Sequence, residues 1–454
     1  MKNKKTFGLI LFIILFSYFL ILMDNSIIFT SSLKISQDLK MNESTLSWVS
    51  NAYTITFGGF LLLAGRLGDL LGRKIIFLLG LFIFGFSSLV VGLSTSSEMM
   101  IIARAVQGIG SAILAPTSLA LLMDTYKGDL RVRAISYYGA TAGIGSSFGL
   151  ILGGWLTSAL SWRVGFLLNV PFSLLLIILT LVNVHQSDIK ASKIDFLGSF
   201  LSVLISVLFV FGITVSNLFI IILSFILIIL FILWEKKLTY ALIPLELFKN
   251  KVRSGSYVAR FAFMMAMLTY WFILPQIMQK MYHFSPLQSG LAFLPLTIVN
   301  FIAALFLPRL TRALGNSKVM ILGQVILLTG MILSLVSQPE WGYFYAMIFQ
   351  MMIIGLGQGW LLAPLTAAGV EEVSPELSGA ASGLTNMMHQ LGGPVGLSIV
   401  VLFSSNIVDL SAYYHLVMGF ITAFLSVGLL VLIFTRPDNN KNKRRKNANK
   451  INIK

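Results

Sequence analysis

The sequence predicts an all-α membrane protein of fourteen transmembrane helices, two six-helix bundles with two additional central helices between them. Hydrophobic residues fill 57% of its 454 positions, and the mean hydropathy is +0.88. A water-soluble chain of this length has too small an interior for that much apolar surface. Apolar runs of about 20 residues recur along the chain, each able to cross roughly 30 Å of hydrocarbon. The runs are continuous rather than alternating. Only helices or closed barrels satisfy their backbone in lipid, so helices are expected.

The expected spans are 8–30, 47–65, 75–94, 99–122, 136–158, 165–184, 196–214, 217–235, 256–280, 287–307, 318–337, 341–364, 379–404 and 412–435. The first follows Met1-Lys2-Asn3-Lys4-Lys5 like a secretory signal, but its apolar run is too long and no small-x-small cleavage site follows. It is expected to remain as a helix, and it carries Asp24 and Asn25. The second and third spans flank a charged hinge, Gly65-Arg66-Leu67-Gly68-Asp69-Leu70-Leu71-Gly72-Arg73-Lys74, whose glycines allow a tight turn. The fourth holds Arg104. The fifth holds Gly145, Gly149 and Gly153, a four-residue spacing that lets helices approach closely. The spans 196–214 and 217–235 are the additional pair, and the basic connection 236–255 is expected as an amphipathic segment at the membrane surface. Span 256–280 is rich in methionine and aromatics, adaptable surfaces for varied apolar ligands. Its Arg260 is expected to snorkel to the membrane surface. Gly355, Gly357, Gly359 and Pro364 predict a flexible or broken helix in span 341–364. The tail 438–454, rich in Asn, Lys and Arg, is expected to be disordered.

Charge placement orients the chain. An even number of spans puts both ends on one side. Of the 33 Lys and Arg residues, 27 fall in segments on that side and four (Lys34, Lys40, Arg163, Lys280) on the other. The positive-inside rule therefore predicts cytoplasmic termini in a plasma membrane. The net charge of +16 is topological and calls for no nucleic acid. The chain has no cysteine, its four histidines lack metal-ligand spacing, and no Walker-type nucleotide motif is present. No metal and no cofactor are expected; the driving force would be the proton-motive force.

The hinge has an echo. Pro308-Arg309-Leu310-Thr311-Arg312-Ala313-Leu314-Gly315 aligns with it at an offset of 243 residues, Gly315 on Gly72, and Asp69 becomes Arg312. Repeats of this kind build transporters with the substrate site between the halves. The expected units are 1–190, 191–255, 256–437 and the tail 438–454.

The hinge resembles the loop 2–3 signature of the major facilitator superfamily. Leu22-Met23-Asp24-Asn25-Ser26-Ile27-Ile28, Arg104-Ala105-Val106-Gln107-Gly108-Ile109-Gly110, Gly145 to Trp155 and Trp162 to Pro171 resemble motifs of its fourteen-helix drug:proton antiporters. Two positions depart from that pattern: Gly149-Leu150 stands where Gly-Pro is usual, and His389 where relatives commonly have arginine. The resemblance implies the major facilitator fold and a helix-4 relay role for Arg104.

Asp24 is the one acidic residue well inside an expected span. An ionised carboxylate there costs about 2.5–3.5 kcal/mol on insertion scales. It is a candidate for proton exchange and for attracting a cationic drug, with Arg104 as basic counterpart and His389 as a second protonation site. Arg66, Asp69 and Arg73 are candidates for an inner gate. Asn25, Tyr53, Met264, Met267, Tyr270, Trp271, Gln276, Asn300, Gln358 and Asn386 are candidates for the substrate cavity. The expected function is export of amphipathic, cationic or zwitterionic drugs in exchange for protons, or sodium, by alternating access. A lipid, fatty acid or endogenous metabolite is the alternative cargo. No acid, base and nucleophile cluster together, so an enzyme is not expected, and a receptor is the remote alternative.

Overall fold

The computed structural model describes residues 7–186, 195–238, 241–374 and 377–436; the Asp69 side chain lies outside the described residues. The described residues form fourteen long helices and no strand. They are α1 Leu9–Asp38, α2 Glu43–Leu71, α3 Arg73–Gly92, α4 Ser97–Thr125, α5 Gly128–Ala159, α6 Trp162–Asn183, α7 Phe196–Thr214, α8 Leu218–Glu235, α9 Lys251–Met281, α10 Pro286–Leu314, α11 Asn316–Val336, α12 Phe344–Gly369, α13 Ser378–Ser404 and α14 Leu410–Thr435. Thirteen are long and apolar enough to span a bilayer; the exception by composition is α5, which carries Thr141, Ser146, Ser147 and the glycine stripe.

Local chemistry sets the ends. Side chains of Asn42, Ser96, Asn217, Asn250 and Asp409 accept from free N–H groups in the first turns of α2, α4, α8, α9 and α14. Ser285 and Gln288 form a reciprocal capping box at the start of α10. The first helix outruns its expected end at residue 30 and continues to Asp38. Its polar Ser31 and Ser32 look unsuited to lipid, but Ser31 Oγ bonds Thr157 Oγ1 at 2.7 Å and Ser32 Oγ donates to Phe29 O at 3.2 Å, so both are buried and satisfied. The expected break in α12 is absent at Gly355–Pro364. Those glycines serve packing: a Cβ on Gly355 would lie 2.3 Å from Leu296 O, and one on Gly357 2.4 Å from Leu327 N. The irregular turn of α12 is instead a π-turn at Phe344–Ile348.

The repeat is visible in the backbone. Single residues, Gly72 and Gly315, join α2 to α3 and α10 to α11, with φ of +92° and +84°. Glycine reaches this region at no steric cost. The next residue then ties each junction to a helix of its own half: Arg73 Nη1 donates to Ala120 O of α4 at 2.9 Å, and Asn316 Nδ2 to Pro364 O of α12 at 3.1 Å.

Helices α1–α6 and α9–α14 make the two bundles, and they meet through α2 with α13, α1 with α9 and α5 with α10. Hydrogen bonds joining the halves gather toward the side away from the chain ends. Gln279 Nε2 donates to Thr30 O at 3.1 Å, Asn51 Nδ2 to Ser398 Oγ at 2.9 Å, and Leu287 N to Ser158 Oγ at 3.1 Å, while Tyr413 bonds Glu43. On that side α5 and α10 touch backbone to backbone: a Cβ on Gly154 would stand 2.5 Å from Pro286 O, and one on Gly290 2.5 Å from Leu150 O. The additional pair packs outside this seam. Val203 of α7 lies against Gly59 of α2, and Thr214 Oγ1 bonds Ser398 Oγ of α13 at 3.2 Å.

Candidate functional site

Asp24 falls at the middle of α1 and is completely buried, as is Arg104. Arg104 Nη1 donates to Asp24 Oδ2 at 2.7 Å. The other carboxylate oxygen accepts from Asn169 Nδ2 at 2.7 Å and Gln107 Nε2 at 2.9 Å. Four helices thus converge on one carboxylate, since Gln107 and Asn169 also bond Ser88 Oγ of α3, at 2.7 and 3.4 Å. Arg104 is held in turn by Val49 O of α2 at 3.1 Å and Gln107 Oε1 at 2.6 Å. Its guanidinium lies 4.1 Å from the Tyr53 ring centre and 5.7 Å from that of Phe166, cation–π contacts that cover the unbonded Nη2. Charges this deep persist only when paired and hydrogen-bonded.

The glycine stripe seats this network. On α5, an added Cβ would stand 3.0 Å from Leu22 Cβ at Gly145, 2.6 Å from Met23 O at Gly149 and 2.8 Å from Ile27 Cα at Gly153. These α1 residues bracket Asp24. The neighbouring Gly154 meets α10, so α5 is in contact both with the carboxylate's helix and with the other half.

Asp24 is therefore not an open docking point for a cation: its oxygens are occupied by three donors and sealed. Tyr53, expected in the cavity, stacks on Arg104 and donates to Ser111 Oγ at 2.8 Å. Asn25 is half-buried, with an unpartnered Oδ1. In the other bundle, Met264, Met267 and Tyr270 are packed in the core, at 4, 0 and 2% exposure. Trp271 is half-buried, its ring 6.3 Å from Phe29 of α1. Gln276 and Asn386 bond carbonyls of their own helices, Phe272 O and Ser382 O. Asn300 lies against Gly359, and Gln358 is buried with Oε1 unpartnered.

His389 does not join the Asp24 network. It is half-buried on α13 with Nδ1 unpartnered, within the field of Arg260. Arg260 does not snorkel. It is 5% exposed and donates to Leu362 O at 3.2 Å and to Thr366, because α12 offers acceptors closer than the membrane surface. Tyr18 of α1 lies in the same field and stacks on Tyr138 of α5, ring centres 4.1 Å apart.

At the hinge, Arg73 bridges to Asp124 of α4 at 2.6 Å. Arg66 is exposed. The side chain of the expected gate carboxylate, Asp69, lies outside the described residues.

The sequence left Gln107, Asn169 and Ser88 unnamed as site residues. Gln107 had a signal, three residues after Arg104 and so on the same helix face. Asn169 had one too, a lone amide in an apolar stretch. Ser88 had none.

The Major Facilitator Superfamily profile matches residues 14–245, 191–397 and 256–453. The chain belongs to this superfamily, and it is a multi-pass membrane transporter rather than an enzyme. It is 31% identical over 393 residues to the uncharacterized MFS-type transporter EfpA of Mycobacterium tuberculosis, covering 83% of this chain and 73% of that one. It is 30% identical over 416 residues to the puromycin resistance protein pur8 of Streptomyces alboniger, covering 87% and 81%. The multidrug transporter protein MdtP of Bacillus subtilis is 27% identical over 410 residues, covering 88% and 75%. Among solved structures, a bacterial homolog of the lysosomal transporter Spinster superposes with a TM-score of 0.67 at 12% identity, over 94% of this chain and 95% of that one. The nucleoside transporter NupG does so at 0.63 and 15%, over 94% and 98%. At such identities these two share the fold alone.

Proposed function

We propose that this transporter exports amphipathic drugs across the plasma membrane in exchange for protons, by alternating access, with both termini in the cytoplasm. The relatives named for puromycin resistance and multidrug transport support the cargo class. The 27-to-4 charge asymmetry supports the orientation. On that orientation the hydrogen bonds between the halves lie toward the outside, which supports an inward-facing state. The moving units are 1–190 and 256–437, with 191–255 between them.

The observation that carries the coupling is the fully buried Asp24 carboxylate, which ties α1 to α4 and α6. Protonation removes its charge and weakens its hold on Arg104, Gln107 and Asn169. Arg104 keeps Val49 O, Gln107 Oε1 and the Tyr53 face, which soften but do not cancel the loss of its counter-ion. The strain passes from α1 through the glycine contacts to α5, and from α5 to α10. The cargo then competes with the proton through conformation and need not touch Asp24. One proton moving down about 100 mV yields roughly 2.3 kcal/mol, enough for a gradient of about fifty-fold in a neutral drug. The hinge residues Arg66, Asp69 and Arg73 serve as the inner gate; a second cation at His389 would repel the buried Arg260, so the exchange rests on Asp24.

Purified protein in liposomes, given imposed pH or sodium gradients and a small drug panel, tests this. A pH gradient should drive uphill accumulation. Drive by sodium alone contradicts proton exchange, and flux of lipids but of no drug contradicts the cargo.

A further inference from the structure

The two additional helices carry a second buried acidic site. Asp195, the N-cap of α7, is 7% exposed, and Glu235, the last residue of α8, is 3% exposed. Their carboxylates converge on Gly198, where an added Cβ would stand 2.0 Å from Asp195 Oδ2 and 2.7 Å from Glu235 Oε1. Donors are built around the pair. Asp195 Oδ1 accepts from Gly198 N at 2.8 Å and from Trp234 Nε1 at 3.1 Å, and Glu235 Oε2 accepts from Ile243 N at 2.9 Å. One atom is left over: Glu235 Oε1 is buried, turned toward Asp195, and has no donor while both groups are ionised.

No cation compensates the pair among the described residues. Lys236 and Lys237 follow Glu235 and are exposed, as are Glu246 and Lys249 on the connection and Arg66 on α2. Arg253 of α9 donates to Leu247 O, Glu246 O and Glu371 O. On α13, His389 sits under the charge of Arg260. Two buried carboxylates this close, with no compensating cation among the described residues, do not both ionise; one proton between them supplies the missing donor.

We propose that Asp195 and Glu235 form a proton-binding site that clamps the connection between the halves into the seam of α2 and α13. The bond from Ile243 N to Glu235 seats Leu242, Ile243 and Leu247 in one apolar cluster with Leu62 of α2 and Leu384 of α13. With the proton bound, the pair carries one negative charge and the connection is held. Loss of the proton as pH rises sets two like charges against each other, Glu235 turns toward water, and the connection is released. The additional helices then act as a brace that answers to cytoplasmic pH, distinct from the exchange at Asp24.

Hydrogen–deuterium exchange of the full-length transporter in liposomes, across a pH series and corrected for intrinsic rates, tests this in the peptide containing Ile243. In the unaltered protein, protection should fall by about tenfold as pH rises through the transition. Glu235→Gln keeps an acceptor for Ile243 and supplies the donor to Asp195, so protection should become independent of pH. Glu235→Ala should leave the peptide unprotected at every pH, while α1 and α4 keep their protection and show that the fold is intact. Protection that does not change with pH in the unaltered protein, or a Glu235→Gln variant that follows it, overturns the proposal.

Discussion

Arg104 Nη1 lies 2.7 Å from Asp24 Oδ2, and neither side chain has accessible surface. The pair ties α1 to α4 inside one bundle and does not reach across to the other. It behaves as a counter-ion arrangement whose strength depends on whether the acid holds a proton. Removing one partner of such a buried pair costs about 3–5 kcal/mol, much more than either contact contributes, because the other charge is left alone.

Arg104→Gln should therefore lower stability by about that amount, read as thermal unfolding in detergent. Adding Asp24→Asn should restore most of it, since no charge then remains to be stranded. Arg104→Lys should stay costly, because one ammonium cannot serve Asp24, Gln107 and Val49 O as the fork does. A loss in the double variant equal to the sum of the two single-variant losses would mean that the pair is not coupled.

Gly149→Ala should push α1 off α5. Its Cβ would stand 2.6 Å from Met23 O, and overpacking of this kind costs about 1–3 kcal/mol. Uphill transport should fall further than stability does, since Met23 is next to Asp24. Gly143→Ala on the same helix, where an added Cβ meets nothing within 4 Å, should change neither.

Gly72 and Gly315 both hold positive φ, but their surroundings differ. A Cβ on Gly315 meets nothing within 4 Å, whereas one on Gly72 would stand 1.8 Å from Gln186 Nε2. Gly315→Ala should cost only backbone strain, about 1–3 kcal/mol. Gly72→Ala should cost that and displace Gln186 as well. A stability assay on both, with Gln186→Ala in the Gly72 background, separates the two effects: the double variant should behave like Gly315→Ala.

The chain has no native cysteine, so paired cysteines report cleanly on the seam. Asn51→Cys with Ser398→Cys, joined by a short bifunctional thiol reagent, should lock the halves as they stand and abolish transport, with recovery on cleaving the link. Continued transport with the link intact would mean that this contact persists through the cycle.

The fold was legible because lipid imposes a simple rule, and fourteen apolar runs gave fourteen helices in order. Their ends were less legible. Ser31 and Ser32 read as loop, yet their hydroxyls are satisfied on the helix, and α1 runs eight residues further. The hinge echo held in the backbone at Gly72 and Gly315 although their side-chain partners differ. The site was half legible. Asp24, Arg104 and the stripe at Gly145, Gly149 and Gly153 stood out as charges or spacings in an apolar chain. Which of Tyr53, Met267 or Tyr270 faces a cavity depends on helix rotation within each bundle, and a hydrophobic all-round helix carries no periodic signal to fix that rotation. Burial of Asp195 and Glu235 was invisible for a related reason: at span ends, carboxylates read as solvated.

Drug accumulation driven by an imposed pH gradient in liposomes carrying Asp24→Asn tests the central claim most directly. Uphill accumulation should disappear while downhill equilibration of the same drug continues, because the path remains and the exchangeable proton is gone. Uphill accumulation at the unaltered protein's level would contradict it.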